Sequence, residues 1–195
     1  DESGTRYIDL PIRFQRAVYN RECSAYGLVK SGASDDDIVM TSDADEIINP
    51  LILEDLNWFD SNLNYVALQR AFYFKLNYLY QEEWKGTRLC TFKHLKTKTV
   101  DRLRTDWRQA YLIQEGGWHF SFLGDADNVR LKLASYEHTE NNIESNTGNM
   151  EDRIERGVDP LGRSNQLYVV PIDDTYPEYI IKNQKKYSEF IKPWN

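Results

Sequence analysis

Apolar residues recur at helical spacing near both ends of the chain. Between Ile12 and Val29 they return every three or four positions, and the run ends in "SGAS", a typical helix stop. Near the other end, "PEYIIKNQKKYSEFI" begins with Pro177, a residue favoured in the first turn of a helix, and continues with an amphipathic pattern. The spacing therefore predicts a first helix over residues 12–29 and a last helix that begins at Pro177.

Short runs rich in β-branched and aromatic residues predict strands between these helices. "DIVMTS", residues 37–42, is bounded by charge and predicts a buried strand. "YVALQRAFYFKLNYLY", residues 65–80, predicts one strand or two strands with a bend near Asn77. "EEWKGTRLCTFKHL", residues 82–95, has the pattern of a loop that enters another strand, and "QLYVVPI", residues 166–172, that of an extended segment.

Three further helices are predicted from weaker patterns. "NPLILEDLNWFDSN", residues 49–62, has a proline near its start and apolar residues at helical spacing. We interpret the mixed pattern of residues 128–137 as a helix and the polar residues 138–149 as a loop. A helix over residues 150–156 is predicted to follow that loop.

The length and composition are those of one globular domain. A chain of 195 residues with 41% hydrophobic and 28% charged residues can bury one core, so we predict a single domain over residues 1–195. The net charge of −7 argues against a protein that holds nucleic acid through phosphate contacts. We interpret the basic stretch 88–108 as a solvated surface. Cys23 and Cys90 lie far apart, which suggests neither a zinc site nor a disulfide framework.

The first candidate site is "SDADEI", which follows the predicted strand at 37–42. Asp43 and Asp45 have the Asp-x-Asp spacing that can direct two carboxylates into one small volume, where a cation relieves their repulsion. Carboxylate oxygens suit Mg²⁺ or Mn²⁺, and ligands of open α/β sheets bind at the carboxyl ends of strands. A solvated turn is the alternative on spacing alone.

The second candidate site is "GGWHFSFLGDAD", residues 116–127. Its two glycines allow a backbone to approach a ligand closely, and Trp118 offers a stacking face for a donor or acceptor unless it belongs to the core. His119 could bind the same ligands. The residues suited to proton transfer or metal ligation are His119, Asp125, Asp127 and, further along the chain, His138.

The order of these features resembles that of a known family. A helix with "FQRA", a strand into "SDADEI", an aromatic strand pair, "GGWHFSF" and "VRLKLASYEH" follow one another. Together they resemble glycosyltransferase family 17, the family of the β-1,4-mannosyl-glycoprotein 4-β-N-acetylglucosaminyltransferase. The resemblance extends from about Ile12 to the C-terminus, and "SDADEI" and "GGWHFSF" are its specific parts.

This resemblance implies an α/β fold with a GT-A-like, Rossmann-type mixed sheet flanked by helices. It also implies an inverting glycosyltransferase that depends on Mn²⁺ or Mg²⁺. Such an enzyme moves a sugar, N-acetylglucosamine by analogy, from a UDP-sugar donor to a hydroxyl of a glycan acceptor. Only one predicted helix precedes "SDADEI", so we expect this chain to lack the first nucleotide-binding strand of such a fold.

The resemblance further implies roles for individual residues. Asp45 would bind the metal directly, with Asp43 nearer the ribose or a metal-bound water, and Glu46 follows them as it does in the family. Gly116 and Gly117 would lie beside the acceptor, and Asp127 or Asp125 would be the general base. His138 would be a further metal ligand late in the chain.

Two other function classes stay open on the sequence. One is a non-catalytic carbohydrate-binding or scaffold domain with a degenerate GT-A fold, and the other is a magnesium-dependent phosphohydrolase built around the same acid pair. No apolar stretch is long enough to cross a bilayer. We expect a cytoplasmic protein if the source is bacterial or viral, and a Golgi-lumen domain if the chain comes from an anchored eukaryotic protein; the cytoplasm is favoured.

Overall fold

The computed structural model describes residues 10–194, which separate into two compact units. Within that range, the first unit consists of residues 10–41, 56–66 and 88–113, and the second of residues 42–55, 67–87 and 114–194. All the candidate site residues predicted from the sequence belong to the second unit. Residues 1–9 and 195 lie outside the description, together with the part of the single-domain prediction that covers them.

The helices vary from one to five turns. Their bounds are α1 Ile12–Ser31, α2 Leu51–Glu54, α3 Phe92–Leu95, α4 Val100–Thr105, α5 Ala126–Ser135, α6 Glu144–Thr147, α7 Met150–Arg156 and α8 Glu178–Lys182. Among residues 10–194, no helix combines the length and the apolar character that crossing a bilayer requires. The predicted helices at 12–29 and 150–156 are confirmed. Helix α1 ends where Gly32 adopts a left-handed conformation (φ 81°), which lets its N–H bond to the last carbonyls of the helix.

Residues 10–194 also contain six strands. Their bounds are β1 Ile38–Thr41, β2 Glu46–Ile48, β3 Tyr65–Tyr73, β4 Tyr78–Thr91, β5 Tyr111–Ser121 and β6 Tyr168–Val169. In the first unit, β1 pairs antiparallel with the end of β4, so that Val39 lies opposite Cys90. In the second unit the strand order is β6-β4-β3-β5-β2, and the pairs β2 with β5 and β4 with β6 are antiparallel.

Several boundaries differ from the sequence prediction. The stretch 82–95 is mostly not a loop, because β4 continues to Thr91, and its residues 86–91 are all buried. The last helix stops at Lys182 and is followed by a 3₁₀ turn at Ser188–Phe190. Only Leu51–Glu54 is helical within the predicted helix at 49–62. Local spacing marked apolar faces correctly, but tertiary burial decided how far each element extends.

Each unit has its own apolar core. In the first unit, the side chains of α1 at Ala25 and Leu28 pack on a buried cluster of Val39, Cys90, Phe92, Leu95, Val100 and Leu103. In the second unit, α5 contributes Ala126, Val129 and Leu133 to a cluster that also contains Tyr73, Phe74, Tyr78, Phe122, Met150 and Leu167. A further cluster of this unit contains Phe72, Leu76, Leu79, Trp118, Phe120 and Tyr176.

The architecture is α/β, as predicted. The three strand pairings described above are antiparallel, so they do not by themselves establish the Rossmann-type arrangement of a GT-A fold, which stays a prediction. Cys23 and Cys90 are both free thiols, Cys23 exposed and Cys90 buried, in agreement with the prediction of no disulfide between them.

Candidate functional site

The Asp-x-Asp sequence forms a tight turn between β1 and β2. The N–H of Glu46 donates to the carbonyl of Asp43 at 3.0 Å, and the Glu46 side chain accepts in return from the Asp43 N–H at 3.2 Å. Glu46 is buried, and its other carboxylate oxygen accepts from the indole of Trp84 at 3.1 Å. The side chain of Glu46 therefore holds the turn in shape and is not presented to a ligand.

The turn lies beside the end of β5, whose side chains alternate between two faces. Trp118 and Phe120 enter an apolar core, whereas His119 and Ser121 point to the opposite face, near Asp45. The pairing of β2 with β5 sets this register, because Glu46 lies opposite His119 and the carbonyl of Asp45 accepts from the Phe120 N–H at 2.9 Å.

Three side chains converge on one carboxylate oxygen of Asp45. Oδ2 accepts from Ser121 Oγ at 2.9 Å and from Lys132 Nζ at 2.7 Å, and Lys132 also donates to Ser121 Oγ at 2.7 Å. His119 Nε2 lies 3.3 Å from the same oxygen, close enough for an ion pair. We call these four residues, Asp45, His119, Ser121 and Lys132, the Asp45 cluster.

Helix α5 delivers Lys132 to this cluster. Asp125 caps the helix by accepting from the Asn128 N–H at 3.0 Å, and Val129 and Leu133 are fully buried on its core-facing side. Lys132 follows next to that side, and its Nζ lies 4.8 Å from the centre of the Phe122 ring. Its side chain is one-third exposed, so the ammonium faces both the carboxylate and solvent.

His119 is buried to 5% exposure and has no hydrogen-bond partner for either ring nitrogen among residues 10–194. The 3.3 Å separation from Asp45 is an ion-pair distance whose orientation falls short of a hydrogen bond. The rings of Trp84 and Tyr73 approach its imidazole edge-on, with centroids at 4.5 and 6.5 Å. A buried polar ring without partners is costly, which marks it as a group that a ligand could satisfy.

The electrostatic state of Asp45 follows from these contacts. Burial raises its pKa, but His119 and then Lys132 lower it by more, so the pKa of Asp45 lies well below its usual range. Of the two, we give more weight to Lys132, because its contact has hydrogen-bond geometry as well as opposite charge. Asp45 is therefore an anion at neutral pH, held beside a cation.

The two glycines of β5 serve strand packing. A side-chain carbon on Gly116 would lie 2.6 Å from the Cβ of Ala67, and one on Gly117 would lie 2.1 Å from the carbonyl oxygen of Ile47. Gly117 also has a φ of 133°, which other residues rarely adopt. The prediction that these glycines open space for a ligand thus has a simpler physical account, the close approach of neighbouring strands.

Trp118 belongs to the core. It is buried to 7% exposure among Phe72, Phe120 and their neighbours, and its indole N–H donates to the carbonyl of Thr175 at 2.9 Å. Of the two interpretations left open by the sequence, core packing is the one that the structure supports, because little of the ring remains for stacking on a sugar.

The two aspartates before and inside α5 differ in their surroundings. The Asp125 carboxylate is engaged as the helix cap. The Asp127 side chain is 92% exposed in the first turn of the helix, and it lies 3.1 Å from Nη1 of Arg130. Of the two, Asp127 is the carboxylate that a substrate in solvent could reach.

The three predicted metal ligands are not gathered into one ligand set. The exposed Asp43 and the half-buried Asp45 share the turn, whereas His138 bonds to Glu140 at 2.9 Å and lies 3.7 Å from Glu137. In the part of the chain from 10 to 194, no three His, Cys, Asp or Glu side chains are arranged to hold a metal ion. Carboxylate oxygens of the turn have the right chemistry for Mg²⁺ or Mn²⁺, but a cation at Oδ2 of Asp45 requires Lys132 to move.

Comparison with known proteins identifies the class. The model of glycosyltransferase family 17 matches residues 11–189, nearly the whole chain, and the chain belongs to this family. It is therefore a glycosyltransferase, which acts between a sugar donor and an acceptor. No curated protein matches the chain. No solved structure matches it either.

Sequence reasoning missed three residues of the site: Lys132, Ser121 and Trp84. Ser121 follows His119 by two positions in a strand, so the period of two carried a signal that the pair shares a face. Lys132 stands among Val129, Leu131 and Leu133, and a cation within an apolar helical segment was a weaker signal. Nothing in the local sequence connects Trp84 with Glu46.

Proposed function

We propose that this chain transfers a sugar, N-acetylglucosamine, from a UDP-sugar to a hydroxyl group of a glycan, with inversion at the anomeric carbon. Membership of glycosyltransferase family 17 supports the transfer of a sugar. The observation that carries the location of the reaction is the Asp45 cluster, where a half-buried carboxylate, an ammonium and a buried imidazole without hydrogen-bond partners among residues 10–194 meet. A carboxylate whose pKa is shifted by burial and by specific partners is typical of active sites, and Asp45 is such a group.

The negative charge that develops during the reaction gives Lys132, His119 and Asp45 a role in this proposal. As the bond between sugar and phosphate breaks, negative charge grows on the leaving diphosphate, and fixed positive groups stabilise it. Lys132 is one-third exposed, so its ammonium can reach a phosphate oxygen of a bound donor. Neither ring nitrogen of His119 has a hydrogen-bond partner among residues 10–194, so a group of the sugar donor could bind there, and Asp45 lies beside both His119 and Lys132.

A divalent cation, Mn²⁺ or Mg²⁺, is part of this proposal. Asp45 and Asp43 would hold it, and it would supply further positive charge for the leaving diphosphate. Lys132 would then turn from Asp45 toward the phosphate. The Asp43–Glu46 turn would keep its shape with the cation bound, because Glu46 holds it through the Asp43 N–H and the Trp84 indole.

Inversion requires a base on the face of the sugar opposite the leaving group. We assign this role to Asp127, because its carboxylate is 92% exposed and lies in the first turn of the helix that also carries Lys132. It would accept the proton of the acceptor hydroxyl as the oxygen attacks the anomeric carbon.

The test is UDP-sugar turnover over a panel of donors, with and without Mn²⁺, in wild type and in Asp45→Asn. We expect hydrolysis or transfer by the wild type and a loss of at least about 100-fold in the variant. Asp152→Asn, which changes an exposed carboxylate on α7, is the matched control and should keep full activity. A wild-type protein that binds glycans without turnover would identify a non-catalytic carbohydrate-binding domain, and a preference for simple phosphate esters would identify a phosphohydrolase.

A further inference from the structure

A second polar cluster of the same unit is built on the buried carboxylate of Asp159. This side chain is fully buried, and Oδ1 accepts from the Leu161 N–H at 2.7 Å while Oδ2 accepts from Arg163 Nε at 2.7 Å. Its backbone carbonyl accepts from Arg153 Nη1 at 2.9 Å. Both carboxylate oxygens and the backbone carbonyl of Asp159 therefore have hydrogen-bond partners, and its Oδ2 holds the Nε side of the Arg163 guanidinium.

The other edge of that guanidinium is open. The Arg163 side chain is 41% exposed, and its Cζ lies 4.9 Å from the centre of the Tyr80 ring. Its Nη2 makes a long hydrogen bond of 3.5 Å to the Tyr73 hydroxyl. Nη1 has no hydrogen-bond partner among residues 10–194. Arg163 therefore presents two N–H prongs from a rigid support, the geometry that matches phosphate oxygens.

Tyr73 connects this cluster with the Asp45 cluster. Its ring stacks on Tyr80 with centroids 4.3 Å apart and planes at 10°, and its edge meets Phe122 at 5.2 Å and His119 at 6.5 Å. Lys132 lies over Phe122. Tyr73 therefore contacts both the Arg163 guanidinium and the His119 imidazole. It also packs against Phe122, the ring that lies under the Lys132 ammonium.

We propose that Arg163 binds the diphosphate of the sugar donor, with its Nη1 and Nη2 edge on the phosphate oxygens. The proposal rests on the function proposed above, which makes a nucleoside diphosphate the leaving group. In this proposal the stacked rings of Tyr80 and Tyr73 hold the plane of the guanidinium in one orientation. Among Asp159, Tyr73, Tyr80 and Arg163, only Arg163 touches the ligand, and the other three act as positioning residues.

The experiment compares the affinities of UDP, uridine and inorganic pyrophosphate by calorimetry in wild type and Arg163→Ala. UDP and pyrophosphate should bind roughly 10- to 100-fold more weakly to the variant, because a charged hydrogen-bonding pair is lost, and uridine should bind equally. Arg156→Ala is the matched control, because Arg156 is an exposed arginine on α7 paired with Asp152, and it should bind all three probes like the wild type.

A second variant guards against misfolding, because Arg163→Ala leaves Asp159 buried without its cation. Arg163→Lys keeps a cation beside Asp159 but lacks the fork, so it should fold and still bind UDP more weakly than wild type. Equal UDP affinity in wild type and Arg163→Lys, or no pyrophosphate binding by the wild type, overturns the inference.

The same measurements separate the inference from the proposed function. A wild type that transfers sugar from UDP-sugars, together with an Arg163→Ala variant that binds UDP normally, overturns the role of Arg163 and leaves the function standing. Pyrophosphate binding that depends on Arg163, in a protein that turns over no UDP-sugar, supports the anion site and refutes the function.

Discussion

The ammonium of Lys132 lies 2.7 Å from Oδ2 of Asp45, across 87 positions of the sequence. The contact places a positive charge where a divalent cation would bind the same oxygen. Because one lone-pair region cannot serve both partners at once, the two cations compete for Asp45. The affinity of the cation site proposed above should therefore depend on Lys132.

Replacing Lys132 by Gln should make divalent binding tighter in the absence of donor. Asp45 loses its ammonium partner in this variant and keeps Ser121 and His119, so Mn²⁺ no longer has to displace a cation from Oδ2. Turnover should nevertheless fall, because the ammonium no longer stabilises the diphosphate. Calorimetry with Mn²⁺ alone measures the first effect. Lys182→Gln, at an exposed lysine on α8, is the control. An unchanged Mn²⁺ affinity in Lys132→Gln would show that the lysine does not occupy the metal position.

The ionised form of Asp45 should make stability depend on acid pH. Its pKa is lower in the folded chain than in the unfolded chain, so the ionised carboxylate stabilises the fold above its ordinary pKa of about 3.9. That contribution is lost progressively as the pH falls below this value. Urea unfolding of wild type and Asp45→Asn at pH 7 and pH 3 tests it, and the difference in free energy of unfolding between the two pH values should be smaller in the variant. Identical pH dependence would refute this account of Asp45.

Asp127→Asn should reduce turnover by at least about 100-fold while leaving stability unchanged. The carboxylate is 92% exposed, so its amide replacement removes a base without disturbing the packing of α5. Initial rates of sugar transfer and thermal unfolding, measured on the same preparation, check both parts. A variant with full turnover would remove Asp127 from the mechanism.

Asp125→Ala should lower the free energy of unfolding by about 1 kcal/mol, because α5 loses its N-cap. Asp125→Asn can still accept from the Asn128 N–H and should stay near wild-type stability. Chemical unfolding of both variants measures this difference. If Asp125→Asn abolished turnover at normal stability, Asp125 and not Asp127 would be the better candidate for the base.

Gly117→Ala should destabilise the protein by more than about 1 kcal/mol, because a Cβ at this position meets the Ile47 carbonyl at 2.1 Å and φ is 133°. Gly27→Ala is the matched control. Gly27 lies within α1, where an added Cβ would meet no atom within 4 Å, so alanine there should raise stability by up to about 1 kcal/mol. Thermal unfolding distinguishes the two, and a tolerated Gly117→Ala would contradict the packing role of this glycine.

The sequence by itself determined the elements whose signals are local. The apolar spacing of 12–29 and the helix at 150–156 depend on neighbours three or four positions away, and both helices are present. The order of "SDADEI" and "GGWHFSF" likewise sufficed to recognise the family that the comparison shows. These features can be recognised from the sequence because each one depends on residues within a short, continuous stretch.

Only the tertiary structure decided what the site residues contact. The sequence allows Trp118 to stack on a ligand or to fill the core, and the structure buries its ring against Phe72 and Phe120. Lys132 reached Asp45, and Arg163 reached Tyr73, over 87 and 90 positions. Local spacing cannot predict such pairs of residues. Strand register and helix packing bring them together only when the apolar surfaces of distant elements are buried.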